Sequence, residues 1–261
     1  FKLPWYLCLV GAALFGALWG AIPGIFKAYL NINEVITSIM FNWIAFYLSN
    51  YIVSIPAIHS EGAAEATKNV SDAARILLPE GIREALGLAN TTNWGIILAG
   101  LFAIAIYLII EKTTLGYELK ATGGNKHAAK YSGMAEKRNT IMTLMISGAL
   151  AALGAALLYL TGFEQWQCST SSVPGMGFSG IAAAFLGGLH PIGAILSSFF
   201  IQHITIGGAY VDKTMYCAQI SDLISAIIIY LCGFVLFMKH AMNTGIDKWE
   251  ENKKAKLSAQ N

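Results

Sequence analysis

Charged side chains are scarce in this sequence. Asp, Glu, Lys and Arg make up 12% of the 261 residues, where a soluble domain usually has about 25%. The hydrophobic share is 56%, so the available charge could cover little of a water-facing surface. Four cysteines are too few for a disulfide-dense secreted scaffold, and the apolar content excludes a disordered chain. The composition therefore predicts a membrane protein.

Other absences narrow the class further. The net charge is only +2, and there is no basic stripe interleaved with aromatic residues, so we expect no nucleic-acid partner. Acidic and basic residues are almost missing from the middle of the apolar runs, which argues against an ion-driven carrier or channel. We expect no cofactor and no metal ion.

The start of the chain is unusual. The sequence opens on Phe1 and not on Met, and its first apolar run is too long for a signal peptide. We therefore expect residues 1–261 to form a single transmembrane domain that is a fragment lacking upstream spans.

Five apolar stretches come close to the roughly 20 residues that a helix needs to cross a bilayer. They are Pro4–Phe26, Val35–Ile58, Trp94–Ile110, Thr140–Leu160 and Ile220–Met238. A sixth region, Phe178–Thr205, is interrupted by Gly187-Gly188-Leu189-His190-Pro191, where the proline removes an amide donor. The sequence predicts an all-α, polytopic transmembrane helix bundle with a broken-helix hairpin near the C-terminal third.

The distribution of Lys and Arg predicts the orientation. Residues 111–139 carry six Lys or Arg and residues 239–261 carry five Lys, so both are expected in the cytoplasm. Residues 59–93 carry more acidic than basic residues and are expected outside. In that outer segment Ser71 could cap a helix to Leu78, and Pro79 to Leu86 could form another ending at Gly87. A structured surface and a solvated connector both remain open for it.

Small and polar residues inside the spans suggest two roles. Gly16, Gly20 and Gly24 repeat every four residues, which favours close packing against another helix, although such a face also lets helices slide. Uncharged polar side chains are costly in lipid unless they face protein or water. They could line a transport pathway or bond between helices, and the candidates are Asn42, Asn50, Ser147 and Gln202.

The 111–139 segment contains a capped short helix. Asn125 is a good N-cap and Gly133 a good residue to follow the last turn, so we expect a helix over residues 126–132. Apolar and aromatic residues just upstream give this segment exposed apolar groups. It could lie on lipid headgroups or dock into a groove on a soluble partner.

Several motifs resemble one family of membrane proteins. Residues 116–123 read Gly-Tyr-Glu-Leu-Lys-Ala-Thr-Gly and are followed by Asn125, Ala128-Ala129-Lys130-Tyr131 and Gly133. This run resembles the cytoplasmic coupling segment of ABC importer permeases of the ribose, branched-chain amino acid and nucleoside type. Residues 16–24, 33–36 with Asn42, and 175–182 with 191–193 are similar to the simple-sugar and nucleoside members, in the same order along the chain.

The resemblance implies a permease subunit in the bacterial cytoplasmic membrane. Such a subunit forms half of a translocation pathway with a second permease subunit. A separate ABC ATPase drives it, and an extracytoplasmic substrate-binding lipoprotein delivers nucleosides or simple sugars. The chain itself has no Gly-x-x-x-x-Gly-Lys-Ser/Thr motif, in keeping with a non-enzymatic subunit. The residues implied to couple to the ATPase are Gly116, Tyr117, Glu118, Ala121, Gly123, Asn125, Ala128, Ala129, Tyr131 and Gly133.

An alternative function comes from a shorter motif. Gly177-Phe178-Ser179-Gly180 has the form found in rhomboid intramembrane serine proteases, which would make Ser179 a nucleophile. Such a serine needs a base within hydrogen-bond reach. The histidines that follow it, His190, His203 and His240, fall at a break or near the ends of spans, which weakens this hypothesis.

Two cysteines are expected on the outer side. Cys168 follows the fourth span and Cys217 precedes the last, where oxidising conditions would allow a disulfide to persist. A bridge would limit the separation of the segments that flank the broken hairpin. Two free thiols are the alternative.

Overall fold

The computed structural model describes residues 4–55, 66–71, 74–78, 92–167 and 175–207, together with isolated positions elsewhere. The chain divides into two compact units, Phe1–Val173 and Pro174–Asn261. The described part is mainly helical, and isolated bridges such as Ala66–Gln167 and Leu77–Asn93 join its few extended residues. This confirms the predicted all-α fold class.

The first unit contains six described helices. They are α1 (Trp5–Leu30), α2 (Glu34–Val53), α3 (Gly95–Lys112), α4 (Thr114–Gly124), α5 (Lys126–Tyr131) and α6 (Glu136–Tyr159). Among the described residues, α1, α2, α3 and α6 are long and apolar enough to cross a membrane. They correspond to four of the five predicted spans. Their limits differ from the predicted ones by up to five residues: α1, α3 and α6 extend past the apolar runs at one end, whereas α2 ends at Val53, before the predicted Ile58.

The core of the first unit is the close contact between α1 and α6. A Cβ atom added to Gly16 would lie 2.5 Å from the carbonyl oxygen of Gly148, and one added to Gly20 would lie 3.2 Å from the Gly148 Cα. At Gly24 the nearest atom would be the Ile141 Cα, at 3.1 Å. The two backbones therefore touch where side chains are absent, which maximises van der Waals contact between the helices.

The turn between α1 and α2 lies at the end of the unit that we call the Lys27 end. Asn31 ends α1 in the left-handed conformation, with φ of 52°, and Asn33 caps α2 by accepting a hydrogen bond from the Val35 amide at 2.9 Å. Lys27 forms an ion pair with Glu34 at 2.6 Å. Two asparagines and one ion pair thus reverse the chain within three residues.

The opposite end, which we call the Trp166 end, is covered by the segment between α2 and α3. Ile76 is 1% exposed and packs in a cluster with Leu9, Ala74 and Leu160. The Ile76 amide donates to the Leu160 carbonyl at 3.1 Å. The Trp166 indole donates to Asn50 Oδ1 at 2.8 Å. The described part of this segment is structured and packed on the helix ends, which decides against a merely solvated connector.

The predicted helix from Ser71 to Leu78 was wrong. Ala74 lies in a short 3₁₀ turn, but Leu77 pairs with Asn93 in an isolated antiparallel bridge. The Ile76 carbonyl accepts from the Trp94 amide at 3.1 Å. These backbone bonds to residues distant in sequence replace the local bonds that a helix would have made. For the second predicted helix, Gly81 and Glu84 are helical and Gly87 has φ of +61°.

The second unit contains the predicted broken hairpin. Helix α7 (Met176–Leu186) and helix α8 (Pro191–Gly207) are antiparallel segments joined at Gly187–His190. Gly188 and Leu189 both have positive φ, and the Leu189 amide donates to the Ala184 carbonyl at 2.9 Å. The Ser197 hydroxyl bonds to the Ala183 carbonyl across the pair at 2.5 Å. With 11 residues, α7 rises about 16 Å and is too short to cross a bilayer by itself.

Parts of the sequence prediction lie outside the described residues. These are Cys168 and Cys217, most of the 239–261 tail and much of the Ile220–Met238 span. The isolated positions described between 220 and 234 are helical.

The α1–α6 contact gives a test of packing. We expect Gly148→Ala to destabilise the protein by about 2 kcal/mol, because its Cβ would meet the backbone at Gly16 and Gly20 and force the helices apart. Gly154→Ala, in the same helix but with open space around it, should be neutral or slightly stabilising. Thermal unfolding midpoints in detergent measure both, and equal shifts would contradict the proposed packing.

Candidate functional site

The 111–139 segment is built around a single asparagine. The Asn125 amide donates to the Ala121 carbonyl at 3.1 Å and so ends α4. Its side-chain oxygen accepts from the His127 and Ala128 amides at 3.0 and 3.1 Å and so begins α5. One residue therefore caps both helices. This confirms the predicted start of the short helix, and Gly133, with φ of +80°, follows its last turn as predicted.

The turn that joins α3 to α4 needs a glycine. A Cβ added to Gly116 would lie 2.6 Å from the Ile110 carbonyl carbon, with the Ile109 and Ile110 oxygens closer still. Thr113 fixes the same turn, because its hydroxyl donates to the Ile109 carbonyl at 2.6 Å and accepts from the Gly116 amide at 3.2 Å. The chain can therefore leave a span and re-enter a helix at once.

A buried hydrogen bond attaches α4 to the start of α6. Asn139 is 2% exposed, and its side-chain amide donates to the Thr122 hydroxyl at 3.1 Å. Thr122 in turn donates to the Glu118 carbonyl at 2.7 Å, and Arg138 pairs with the Glu118 carboxylate at 3.3 Å. The segment is thus held to α6 and does not hang free. Sequence reasoning missed both Asn139 and Thr122, although an asparagine in the first turn of an apolar span was a visible signal.

Helix α5 presents a definite exposed face. We use this name for His127, Ala128, Lys130 and Tyr131, all of which are exposed. Tyr131 is 93% exposed, so its ring is fully available for contact with a partner. Ala129, which we had grouped with these residues, is 3% exposed and packs into its own chain, where its carbonyl accepts from the Met134 amide at 3.0 Å.

The remaining residues of the predicted coupling set lie on α4. Tyr117 is 67% exposed, Gly123 is open to solvent, and Ala121 and Glu118 are half-buried. The structure therefore brings the predicted set together on one short helix pair, with Gly116, Asn125 and Gly133 shaping its turns.

The four polar residues inside the apolar helices separate into two groups. Asn50 bonds to the Trp166 indole, so its amide has a structural role at the Trp166 end. Asn42 and Ser147 are exposed on the first unit, and Gln202 is exposed on α8 of the second unit. These three keep their predicted place as candidates for a polar pathway.

The structure gives no support to a serine nucleophile. Within the described residues the Ser179 hydroxyl forms no hydrogen bond to a histidine, and the His203 ring lies against Phe199 with centroids 4.4 Å apart. No described histidine therefore activates this hydroxyl, and His240 lies outside the described residues.

Comparison with known proteins agrees with this geometry. Residues 2–233 match the family described as branched-chain amino acid transport system / permease component. The chain belongs to this family of permease components. Its apolar helices and this membership make it a multi-pass protein of the cytoplasmic membrane. The same match gives no support to the alternative of a rhomboid-like protease.

Individual relatives carry transport names. The chain is 36% identical over 224 residues to the guanosine ABC transporter permease protein NupP of Bacillus subtilis, covering 85% of this chain and 63% of the relative. It is 33% identical over 227 residues to the nucleoside ABC transporter permease protein NupB of Lactococcus lactis, covering 86% and 62%. It is 28% identical over 249 residues to the glucose ABC transporter permease protein TsgB13 of Haloferax volcanii, covering 93% and 64%.

The chain thus spans a little under two thirds of the length of these relatives. No solved structure matches the chain.

The bond between Asn139 and Thr122 gives a second test. We expect Thr122→Val to cost about 1–3 kcal/mol, because it leaves the buried Asn139 amide without its acceptor. Hydrogen exchange of residues 114–131 should become faster. Thr143→Val is the control, since that hydroxyl donates only to the Asn139 carbonyl of its own helix. Unchanged exchange in Thr122→Val would show that the bond does not hold α4 in place.

Proposed function

We propose that the chain is a membrane-spanning permease subunit of an ATP-driven importer and that the α5 face couples it to a separate ATPase. The observation that carries the proposal is the rigidly capped α4–α5 pair, which leaves Tyr131 almost wholly exposed. The family match supports the transport function. Such a subunit would form half of the pathway with a second permease subunit.

The geometry suggests how a movement at the α5 face would reach the spans. Asn125 joins α5 to α4, and the Asn139–Thr122 bond joins α4 to the first turn of α6. Helix α6 contacts α1 backbone to backbone. A displacement of α5 by ATP binding would therefore shift the α1–α6 pair, which is the kind of differential contact that biases an equilibrium between two transport states.

We propose nucleosides or simple sugars as cargo, delivered by an extracytoplasmic binding lipoprotein. The printed names of the guanosine, nucleoside and glucose permeases support this class. Uncharged, hydroxyl-rich molecules suit a pathway lined by amides and hydroxyls, and Asn42, Ser147 and Gln202 offer these groups without charge. In this proposal residues 111–139 and 239–261 face the cytoplasm.

Coupling can be tested on the exposed alanine of α5. We expect Ala128→Arg to reduce transport-coupled ATP hydrolysis at least tenfold in proteoliposomes containing the complete transporter, because a bulky charge on the α5 face would obstruct the partner. A tenfold lower rate corresponds to an activation barrier that is higher by about 1.4 kcal/mol. Thermal stability should not change, since the side chain points to solvent.

The matched control is Ala135→Arg, an alanine that is also exposed but lies outside α5 and precedes α6. It should retain ATP hydrolysis near the wild-type rate. If Ala128→Arg also retains it, the α5 face does not dock an ATPase. Ala129→Arg is unsuitable, because that alanine is buried and the variant would unfold the segment.

Orientation can be tested with single cysteines in a background without native cysteine. Lys68 and Lys130 are both exposed and lie at opposite ends of the first unit. In intact cells an impermeant thiol reagent should label Lys68→Cys and should label Lys130→Cys only after permeabilisation. The reverse pattern would invert the proposed topology.

Cargo class can be tested by uptake in a strain that expresses the complete transporter. Labelled guanosine or glucose should accumulate in an ATP-dependent manner, and only the true class should be competed by an excess of its own unlabelled form. Uptake of both classes without competition would contradict a specific importer.

A further inference from the structure

Two adjoining cavities lie at the Lys27 end of the first unit. The first has a volume of about 280 Å³ and lies between the last turn of α1, the start of α5 and the first turn of α6. The second, of about 270 Å³, lies beside it against α4 and α6. Lys27, Lys126 and Thr140 line both.

The first cavity is basic. Its lining carries Lys27, Lys126 and Lys137 against a single carboxylate, Glu136, with His127 beside them. Lys27 is paired with Glu34, but in the described part of the chain neither Lys126 nor Lys137 forms an ion pair. Lys137 lies over the Tyr29 ring, 4.7 Å from its centroid. The cavity therefore presents two ammonium groups that have no direct ion-pair partner in the described part of the chain, although Glu34 lies close enough to Lys126 to interact with its charge.

The depth of this cavity is that of lipid headgroups. A helix rises about 1.5 Å per residue, so about 20 residues cross the hydrocarbon. Counted from Trp5, α1 completes that distance near Gly24, which places Lys27 and Asn31 just beyond it. Counted back from Tyr159, α6 completes it near Thr140, which places Lys137 just beyond it.

The second cavity is of a different character. Its lining surface is mainly apolar and includes Leu119, Leu144, Thr122 and Thr143, and the one carboxylate in it, Glu34, is already paired with Lys27. A basic compartment thus opens beside a mainly apolar one. A free phosphate ion would use only the first, whereas a phospholipid has a phosphate for the first and a glycerol and acyl region for the second.

From this juxtaposition we propose that the two cavities form a binding site for one anionic phospholipid. Lys126 and Lys137 contact its phosphate, with Asn31 as a hydrogen-bonding group at the rim, and its glycerol region lies along Leu119 and Leu144. Basic pockets beside the ends of transmembrane helices are suited to anionic headgroups. The lipid would hold α1, α5 and α6 together at the level where the α4–α5 pair is attached.

The test is a lipid titration followed by native mass spectrometry on the complete transporter purified from membranes. We expect one phosphatidylglycerol per permease chain to be retained in preference to phosphatidylcholine. The double variant Lys126→Gln/Lys137→Gln should bind phosphatidylglycerol about thirtyfold more weakly, since each lysine near an anionic surface contributes roughly a factor of five. Inorganic phosphate should displace the lipid poorly.

The control is Lys112→Gln/Lys120→Gln, which removes the same charge from the same end of the unit but outside both cavities. It should leave lipid retention unchanged. A third variant, Leu144→Asn, keeps both lysines. It should weaken the binding of phosphatidylglycerol but not the binding of inorganic phosphate.

Three results would overturn the proposal. An equal loss of bound phosphatidylglycerol in the two double variants would mean that the overall charge of the protein attracts the lipid and that there is no specific site. Displacement by inorganic phosphate at matched concentration would assign the site to the free ion. Unchanged lipid retention with loss of the copurifying ATPase would assign the lysines to a protein interface. The lipid readout does not depend on transport, so its failure is distinguishable from failure of the proposed function.

Discussion

The backbone contact between α1 and α6 is the constraint on which the first unit depends. Gly16, Gly20 and Gly148 remove the side chains that would separate the two helices, so the helices meet along most of their length. At the Trp166 end the pair supports the apolar cluster of Ile76 and Leu160. At the Lys27 end it brings Lys27 and Lys137 to the same cavity. The packed segment at the Trp166 end and the cavities at the Lys27 end therefore both depend on the close contact between α1 and α6.

The segment between α3 and α6 owes its shape to a few polar groups and little to apolar burial. Thr113, Thr122, Asn125 and Asn139 supply the bonds that set its two helices, and Ala129 is its main buried apolar residue. Helices this short are unstable alone, because nucleation costs more than a few bonds return. Their order therefore depends on attachment to α6, which makes the attachment point a natural place for movement to pass into the spans.

The sequence was informative where composition or a local pattern decides the structure. Apolar runs predicted α1, α2, α3 and α6, the Gly-Gly-Leu-His-Pro break predicted the α7–α8 hairpin, and Asn125 with Gly133 predicted the limits of α5. The prediction was wrong where hydrogen bonds to backbone groups distant in sequence determine the local structure. Ile76 and Leu77 are examples, because their partners are Leu160 and Asn93. It also missed the Asn139–Thr122 bond, since a polar side chain at the end of a span has many possible partners and only the folded chain selects one.

The separation of α1 from α6 along the chain has a consequence for how the protein is made. Helices α2 to α5 are synthesised before α6, so α1 enters the bilayer well before the helix that it contacts exists. At ordinary rates of synthesis this interval is on the order of ten seconds. During that time the glycine surface of α1 is without its α6 partner. Assembly of the first unit is therefore a late, post-insertion event, completed only when the ribosome has passed residue 159.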